Sequence, residues 1–346
     1  MLNSTRRMNT HLVVPDLFWP DQDTLSAADP GRLDALERLF ARGRRAFGSA
    51  TNLEAWLLQA WRASGGSAGY AFLADGGEPG EATWTRAAPC HLRVNRDRLV
   101  PVDATMFDVS RDEAEALAES LSRHFAHEGL VFYPMQPERW YVRGDLASDI
   151  DQLPLAVARG KPVAVRPSAG SGLVRWHALA NELQMLLHQH PVNEAREARG
   201  ELPLNALWLW GSGRFVPPPA TPFRRVRADE PLAAGLARAS GGVALPLPAT
   251  AERWLRAAAD EGVELVVLDP LNAPASYGDA AAWRERLLAL ERDWFAPLLT
   301  ALKEGRIGML TVHAIGANGT LDVETVRQDL RHFWRRPKPL PTYAAQ

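Results

Sequence analysis

Two stretches in the carboxyl-terminal half decide the fold class: ELVVLD at residues 264–269 and MLTVHA at residues 309–314. Each is a short, mostly apolar run of the kind found in strands that are buried on both faces. The residues between them, 280–304, carry apolar side chains at helical spacing. This order of strand, helix and strand predicts parallel strands that are joined by a helix.

The same alternation extends outward from these two stretches. HLVVPDLF at 11–18 predicts a first strand, and two helices are predicted after it, at 29–47 and 52–62. From 205 onward, predicted strands and helices alternate up to a last helix at about 322–334. We therefore predict an α/β fold with a parallel sheet and helices on both faces.

The middle of the chain has a different pattern. Residues 88–103 alternate apolar and polar side chains and predict a hairpin, and residues 110–113 form a capping box at the start of a helix. Two short strands follow. We predict a core made of residues 1–70 and 170–346, and an inserted α+β domain at 71–169.

The composition excludes several classes of protein. The chain has 346 residues, of which 46% are hydrophobic, and its net charge of −2 lacks the basic footprint of a nucleic-acid-binding protein. The basic run at 335–338 is interpreted as a solvated tail. Cys90 is the only cysteine, so no disulfide forms within the chain. No apolar run is long enough to span a membrane, and we expect a cytoplasmic location.

The polar residues at the predicted strand ends are the first candidates for chemistry. In open parallel sheets, ligands bind beyond the carboxyl ends of the strands. Asp16, Asp269, Asn272 and His313 lie at such ends. Carboxylate and imidazole groups there are typical of a metal-assisted phosphoryl site that holds Mn²⁺ or Zn²⁺. The alternative is that each of these residues caps a strand or a helix.

The order of several landmarks resembles that of the archaeal-type cofactor-independent phosphoglycerate mutases, which belong to the alkaline phosphatase superfamily. The resemblance covers nearly the whole chain. The segments that carry it are Asp16-Leu17, Arg93-Val94-Asn95, the helix start at Ser110, Glu138-Arg139-Trp140, the stretch from Asn205 to Gly213, and the stretch from Asp269 to Asp279.

This resemblance implies an alkaline-phosphatase-like core and assigns roles to several residues. The substrate-binding residues would be Arg93, Asn95 and Arg139, and the nucleophile would be Ser49 or Thr51. The resemblance also implies a set of metal ligands, of which Asp16 and His313 remain. Both are assigned to one of two metal sites.

The other ligand positions depart from the pattern. Where the family has an aspartate and a histidine, this chain has Asn272 and Ser276, and Val312 replaces another aspartate. Neutral side chains do not supply the anionic oxygens that a divalent cation needs. Two remaining ligands are too few for a tight site. We therefore expect no cofactor, the alternative being a divalent metal, Mn²⁺ or Zn²⁺.

Residues 181–213 also resemble the RpfE-type regulatory proteins. In this stretch His188 and His190, with Trp208 and Trp210, are a candidate ligand-binding cluster, because aromatic walls with a few polar groups are typical of small-ligand pockets. Asn193 and Glu194 are possible further members. The alternative is that both histidines lie on a helix surface, since their spacing does not place them on one helical face.

Three functions remain open at this point. The first is a phosphoglycerate-mutase-like pseudoenzyme with a regulatory role, which binds a small phosphorylated ligand or a protein partner, and neither nucleic acid nor a membrane. The second is an active phosphomutase or phosphatase that uses Asp16, His313, Asp269 and Asp279. The third is a scaffold that acts only through protein contacts.

Overall fold

A computed structural model describes residues 8–21, 23–95, 98–146, 152–162, 171–257 and 262–344. The strands are β1 (Asn9–Pro15), β2 (Arg44–Gly48), β3 (Thr83–Asn95), β4 (Arg98–Val102), β5 (Val131–Gln136), β6 (Arg139–Arg143), β7 (Ala206–Arg214), β8 (Arg225–Arg227), β9 (Val243–Leu245), β10 (Val263–Val267), β11 (Met309–Gly316) and β12 (Gly319–Val326). The helices are α1 (Asp34–Arg42), α2 (Leu53–Trp61), α3 (Ser67–Ala74), α4 (Arg111–His124), α5 (Leu155–Ala158), α6 (Ser171–His188), α7 (Pro191–Ala198), α8 (Pro231–Ala239), α9 (Ala251–Ala257), α10 (Asn272–Tyr277), α11 (Ala280–Leu290) and α12 (Ala296–Glu304).

The chain divides into two compact units. Unit 1 contains Met1–Arg62 and Pro219–Gln346, and unit 2 contains Ala63–Pro218. The domain boundaries predicted from the sequence, 1–70 with 170–346 and 71–169, stay a prediction. Among the described helices, none is both long enough and apolar enough to cross a bilayer.

Unit 1 is built on a seven-stranded sheet in the order β2-β12-β11-β1-β10-β8-β9. The strand β1 is central and pairs in parallel with β10 and with β11. The strands β12 and β2 extend the sheet in antiparallel fashion at one edge. The prediction of an α/β fold with a mainly parallel sheet is therefore confirmed, with an antiparallel extension at one end.

One face of this sheet carries the main apolar core of unit 1. Leu12, Val266 and Val312 share that face and pack against the helices α1, α11 and α12. Residues alternate between the two faces along a strand, so His11 and His313 lie on the opposite face. There the two rings stack on each other, and His313 contacts Trp56 of α2. This second face holds the polar cluster described below.

Unit 2 contains a smaller antiparallel sheet. The strands run in the order β4-β3-β6-β5, and β7 also pairs with β3. The predicted hairpin is confirmed as β3 and β4. The capping box is confirmed as well: the Ser110 hydroxyl accepts from the Glu113 backbone N–H, and the Glu113 carboxylate accepts from the Ser110 N–H.

Two predicted elements were wrong, and one helix was not predicted. The helix predicted at 29–47 ends at Arg42, and β2 follows it. The predicted last helix at 322–334 begins within β12, in which alternate side chains are buried, and continues as turns with a short 3-10 helix at Asp329–Arg331. The helix that was not predicted is α3, which lies in the glycine-rich passage after Trp61. In the first two cases pairing between strands decided the structure, and a local pattern does not reveal such pairing.

Candidate functional site

Asp16 lies just beyond the end of β1, where a ligand site is expected in a parallel sheet. Its backbone has φ 53°, in the left-handed region, and its N–H donates to the Ile315 carbonyl at 2.8 Å. Its own carbonyl accepts a hydrogen bond from the Trp283 indole at 2.9 Å. The left-handed backbone and these two hydrogen bonds together fix the direction in which the Asp16 carboxylate points.

The Asp16 carboxylate contacts an amide. Asn272, the first residue of α10, donates from Nδ2 to Asp16 Oδ2 at 2.7 Å. The Asn272 backbone N–H donates in turn to the Asp269 carbonyl at 3.1 Å. The loop after β10 therefore presents a neutral hydrogen-bond donor to Asp16. Asp16 and Asn272 are 256 positions apart, so only the parallel pairing of β1 with β10 brings them together.

Both nucleophile candidates lie between β2 and α2. Ser49 is exposed, immediately after β2. The Thr51 backbone N–H donates to the Gly316 carbonyl at 3.2 Å, and a Cβ at Gly316 would lie 3.7 Å from Asp16 Oδ1. The Thr51 backbone thus lies near Asp16, across the end of β11. Neither hydroxyl has a hydrogen bond to a histidine or a carboxylate among the described residues, so neither has an activating base there.

His313 is engaged on both ring nitrogens. Nδ1 lies 2.8 Å from Asp322 Oδ1, and Nε2 lies 2.9 Å from His11 Nδ1. Nδ1 therefore faces a carboxylate and Nε2 faces a second ring nitrogen, so one imidazole donates and the other accepts in the His11–His313 hydrogen bond. The imidazole is 8% exposed and contacts the Trp56 ring at 4.9 Å between centroids. No nitrogen of His313 is left to bind a metal in this arrangement.

Asp16 and His313 lie at different levels of two neighbouring strands. In the parallel pairing of β1 with β11, His313 lies opposite Val13. Asp16 is three positions further along, about 10 Å in an extended strand. The Val312 side chain is 1% exposed and belongs to the apolar core. The His313 ring is held by Asp322 and His11, and Val312 faces the apolar core.

His11, which the sequence did not single out, completes the buried polar cluster. Its ring stacks on His313 with 5.2 Å between centroids, and Phe223 contacts it at 5.3 Å. Burial, and then the neighbouring His313, lower the pKa of His11 to about 4, although Asp322 and Glu324 act in the opposite direction. His11 is therefore neutral at physiological pH. A single histidine in a strand gave no signal, because the cluster depends on strand register.

Of the three residues assigned to substrate binding, Arg139 has a structural role. Arg139 makes a two-bond ion pair with Asp75, at 2.9 and 3.2 Å. Arg93 is exposed on β3. Asn95 ends β3 opposite Arg98, and its side chain lies outside the described part of the structure. Within the described residues of unit 2, no hydrogen bond or ion pair joins Arg93 or Arg139 to His188, His190, Trp208 or Trp210.

The predicted cluster around Trp208 and Trp210 is not assembled. Both tryptophans lie in one small core of unit 2, and the Trp208 indole donates to the Leu153 carbonyl at 2.9 Å. His188 is exposed at the end of α6, and His190 caps α7 by accepting from the Val192 N–H. Leu187 and Leu209 pack together in a different core. Leu209 lies between the two tryptophans on β7, so its side chain is on the opposite face of the strand from theirs. The helices α6 and α7, which meet at His188 and His190, therefore pack against the face of β7 that carries Leu209.

Asp279, proposed in the alternative site, is an N-cap. Its carboxylate accepts from the Ala282 N–H at 2.9 Å at the start of α11. In the part of the chain that the structure describes, no three side chains of His, Cys, Asp or Glu converge in a way that would hold a metal ion. The donors present around Asp16 do not fit the pair of divalent cations that the family resemblance implies.

Comparisons with known proteins give a relationship over part of the sequence. No family model matches the chain. A 2,3-bisphosphoglycerate-independent phosphoglycerate mutase from Methanosarcina barkeri is 30% identical over 120 residues, which are 34% of this chain and 30% of that protein. A probable enzyme of the same name from Geobacter sulfurreducens is 27% identical over 127 residues, 36% of this chain and 31% of that protein.

The chain is similar to phosphoglycerate mutases. The matches span about a third of the length of these curated relatives. Solved structures extend the likeness to the whole fold. A Pyrococcus horikoshii protein superposes with TM-score 0.60 at 13% identity and covers 93% of this chain and 88% of its own. The cofactor-independent phosphoglycerate mutase from Thermoplasma acidophilum gives TM-score 0.50 at 18% identity, covering 98% and 94%.

Proposed function

We propose that this protein is a phosphoglycerate-mutase-like pseudoenzyme that acts by binding a ligand or a partner and not by phosphoryl transfer. The sequence similarity and the shared fold support the relationship to the mutases. Fold alone does not carry activity, so the proposal depends on the side chains at the sheet end. A regulatory role of the RpfE type is the form of this function that the sequence resemblance suggests.

The hydrogen bond from Asn272 to Asp16 carries the proposal. Where the resemblance implies an anionic metal ligand, Asn272 presents a neutral amide that donates at 2.7 Å to the one carboxylate that remains. An amide N–H directed at a carboxylate takes the place that a cation would occupy. A hard divalent ion there would find no anionic ligand at position 272. It would also have to break the hydrogen bond between Asn272 and Asp16 before it could bind the Asp16 carboxylate.

The test combines metal content with turnover. We expect the purified protein, after dialysis against Mn²⁺ or Zn²⁺, to retain well below about one ion per chain by elemental mass spectrometry. We expect no conversion of 3-phosphoglycerate to 2-phosphoglycerate above the background without enzyme. Retention of about two ions per chain, or turnover that the Asp16→Ala variant abolishes, would instead establish an active enzyme and refute the proposal.

A restored ligand set sharpens this test. The variant Asn272→Asp removes the amide and places a second carboxylate beside Asp16, so we expect Mn²⁺ affinity to rise about tenfold or more over the parent. The matched control Gln59→Glu adds the same charge on the exposed face of α2. Isothermal titration with MnCl₂ measures both variants. Equal Mn²⁺ affinity in the two variants would show that Asn272 does not exclude the ion.

A further inference from the structure

The outer edge of β2 is an open strand edge in unit 1. The strand stands at the end of the sheet order, and its five residues, Arg44–Gly48, are all exposed. It pairs with β12 on one side, and no other described strand pairs with it on the other. Alternate backbone N–H and C=O groups of β2 therefore point outward without a strand partner, which is the arrangement that accepts an added strand.

Cations are concentrated beside this edge. Burial and the charge of Arg38 lower the pKa of Arg42. Burial and the charges of Arg38 and Arg42 lower the pKa of Lys303. These three cations are therefore close enough to repel one another. The Arg335 guanidinium donates to the Arg42 carbonyl at 3.1 Å, and Arg45 lies over the Tyr343 ring at 5.7 Å.

These five cations lack acidic partners within the described ranges. None of Arg38, Arg42, Arg45, Lys303 and Arg335 forms an ion pair there, whereas Arg44, on the other face of β2, pairs with Glu324. Cations crowded in this way repel one another, and an anion placed among them lowers their free energy. The edge is therefore complementary to negative charge.

Apolar side chains complete the surface. Phe47 is 61% exposed and lies on the same face of β2 as Arg45, because the two are two positions apart. Phe333 and Trp334 are 77% and 64% exposed on the segment that Arg335 ties to Arg42. The Arg42 guanidinium also donates to the Leu330 carbonyl at 2.6 Å, so this segment is held against α1. Exposed aromatics beside arginines are typical anchors of protein interfaces.

We propose that the outer edge of β2 binds an extended, acidic segment of a partner protein, which adds an eighth strand to the sheet. The register gives a preference: on the face of Arg45 and Phe47, a carboxylate opposite Arg45 and an apolar residue opposite Phe47 lie two positions apart. Backbone hydrogen bonds supply affinity, and these two positions supply selectivity.

Other occupants fit the surface less well. A second copy would pair one arginine-rich strand with another and add to the repulsion, since each copy brings Arg44 and Arg45 to the same edge. A nucleic acid or an anionic membrane would neutralise the cations but would leave the backbone groups of β2 without strand partners. The chain's net charge of −2 also gives no long-range field for either.

The experiment uses the full-length chain and three probes. The first is a capped peptide of alternating glutamate and threonine with one leucine two positions after a glutamate. The second is the same peptide with alternate backbone nitrogens methylated, which keeps the charge and removes the strand-forming N–H groups. The third is a set of two sequence-independent polyanions, oligouridylate and phosphatidylserine vesicles. Fluorescence anisotropy of labelled peptide and oligouridylate, and co-sedimentation with the vesicles, measure binding.

We expect the first peptide to bind about tenfold or more tightly than its methylated form, and Arg45→Glu or Arg335→Glu to weaken it about tenfold. The control Arg284→Glu reverses an exposed charge on α11 and should leave binding unchanged. Hydrogen exchange should show slower exchange at residues 44–48 when the peptide is bound. Equal binding of both peptides, tighter binding of a polyanion, or no peptide binding would each refute the proposal.

This surface and the Asp16 site are tested separately. The peptide assay does not involve Asp16 or Asn272, and the metal and turnover assays do not involve the edge of β2. A protein that proves to be an active mutase could still bind the peptide, and a pseudoenzyme could fail to bind it. Each proposal is therefore supported or refuted by its own measurement.

Discussion

The pH dependence of stability is the sharpest prediction that the buried histidine cluster makes. Burial and His313 lower the pKa of His11 from 6.5 to about 4. Below about pH 6.5 an unfolded chain takes up a proton on this residue that the folded chain does not take up until about pH 4. The contribution of neutral His11 to stability is therefore complete above pH 6.5, falls as the pH falls, and is lost below about pH 4.

The size of the effect follows from the same difference. Each pKa unit corresponds to about 1.4 kcal/mol, so the difference between 6.5 and about 4 corresponds to about 3 kcal/mol. The variant His11→Asn places an amide group near the position of Nδ1, which can donate to or accept from His313, but it does not titrate. We expect the free energy of unfolding of this variant to fall about 3 kcal/mol less than that of the parent between about pH 7 and pH 4.

Two measurements check this prediction. Urea unfolding followed by tryptophan fluorescence gives the free energy at each pH, and NMR of the His11 ring gives its pKa directly. The control Leu12→Val removes a buried methylene from the same strand and leaves every ionisable group in place, so its pH profile should run parallel to that of the parent. A His11 ring that titrates near pH 6.5, or a His11→Asn profile parallel to the parent's, would refute the reasoning.

Three further predictions concern buried groups. Burial and the charge of a nearby aspartate raise the pKa of Cys90 to about 12, so we expect no labelling by iodoacetamide at about pH 8 in the folded protein and full labelling in urea, by mass spectrometry. Asp75→Asn should lower the free energy of unfolding by about 3 kcal/mol, because it leaves the partly buried Arg139 without its carboxylate; urea titration measures this, and a loss under about 1 kcal/mol would contradict it. Glu264→Gln leaves two buried guanidinium groups without an anion, and we expect a loss of about 3 to 5 kcal/mol, against almost none for the exposed Glu304→Gln, by thermal unfolding.

Much of the fold could be predicted because local patterns and strand pairing agree. The apolar runs around Leu265 and Leu310 are buried parallel strands, as their composition indicated. The helix predicted at 52–62 is α2, which Asn52 caps by accepting from the Ala55 N–H at 3.0 Å. In such segments propensity, periodicity and packing all favour one structure.

The edge of the sheet could not be predicted, because tertiary pairing decided it. The helical pattern of α1 continues into Arg44, but at Gly43 the chain passes so close to β12 that a Cβ would lie 2.5 Å from Thr325 Oγ1. That close approach belongs to the antiparallel pairing of β2 with β12, which joins residues more than 270 positions apart. A sequence window of ten or fifteen residues therefore carries no signal of the pairing between β2 and β12.

The candidate site was likewise predicted only in part from the sequence. Asp16 and Asn272 were both identified from the rule that ligands bind at the carboxyl ends of parallel strands, and the structure joins them. The cluster of His11, His313 and Asp322 was missed, because it requires the register of three strands to be known. Residue types at strand ends can be predicted from sequence, whereas contacts across a sheet face cannot.

The central position of β1 has a consequence for synthesis of the chain. The two neighbours of this strand, β10 and β11, begin about 250 and 300 residues later, so β1 is synthesised long before the strands with which it pairs. At about 5–20 residues per second this interval is about 15–60 seconds, during which an apolar strand stays without its sheet. Protection by a chaperone in that interval, and slow maturation of the newly made protein, follow directly from the strand order.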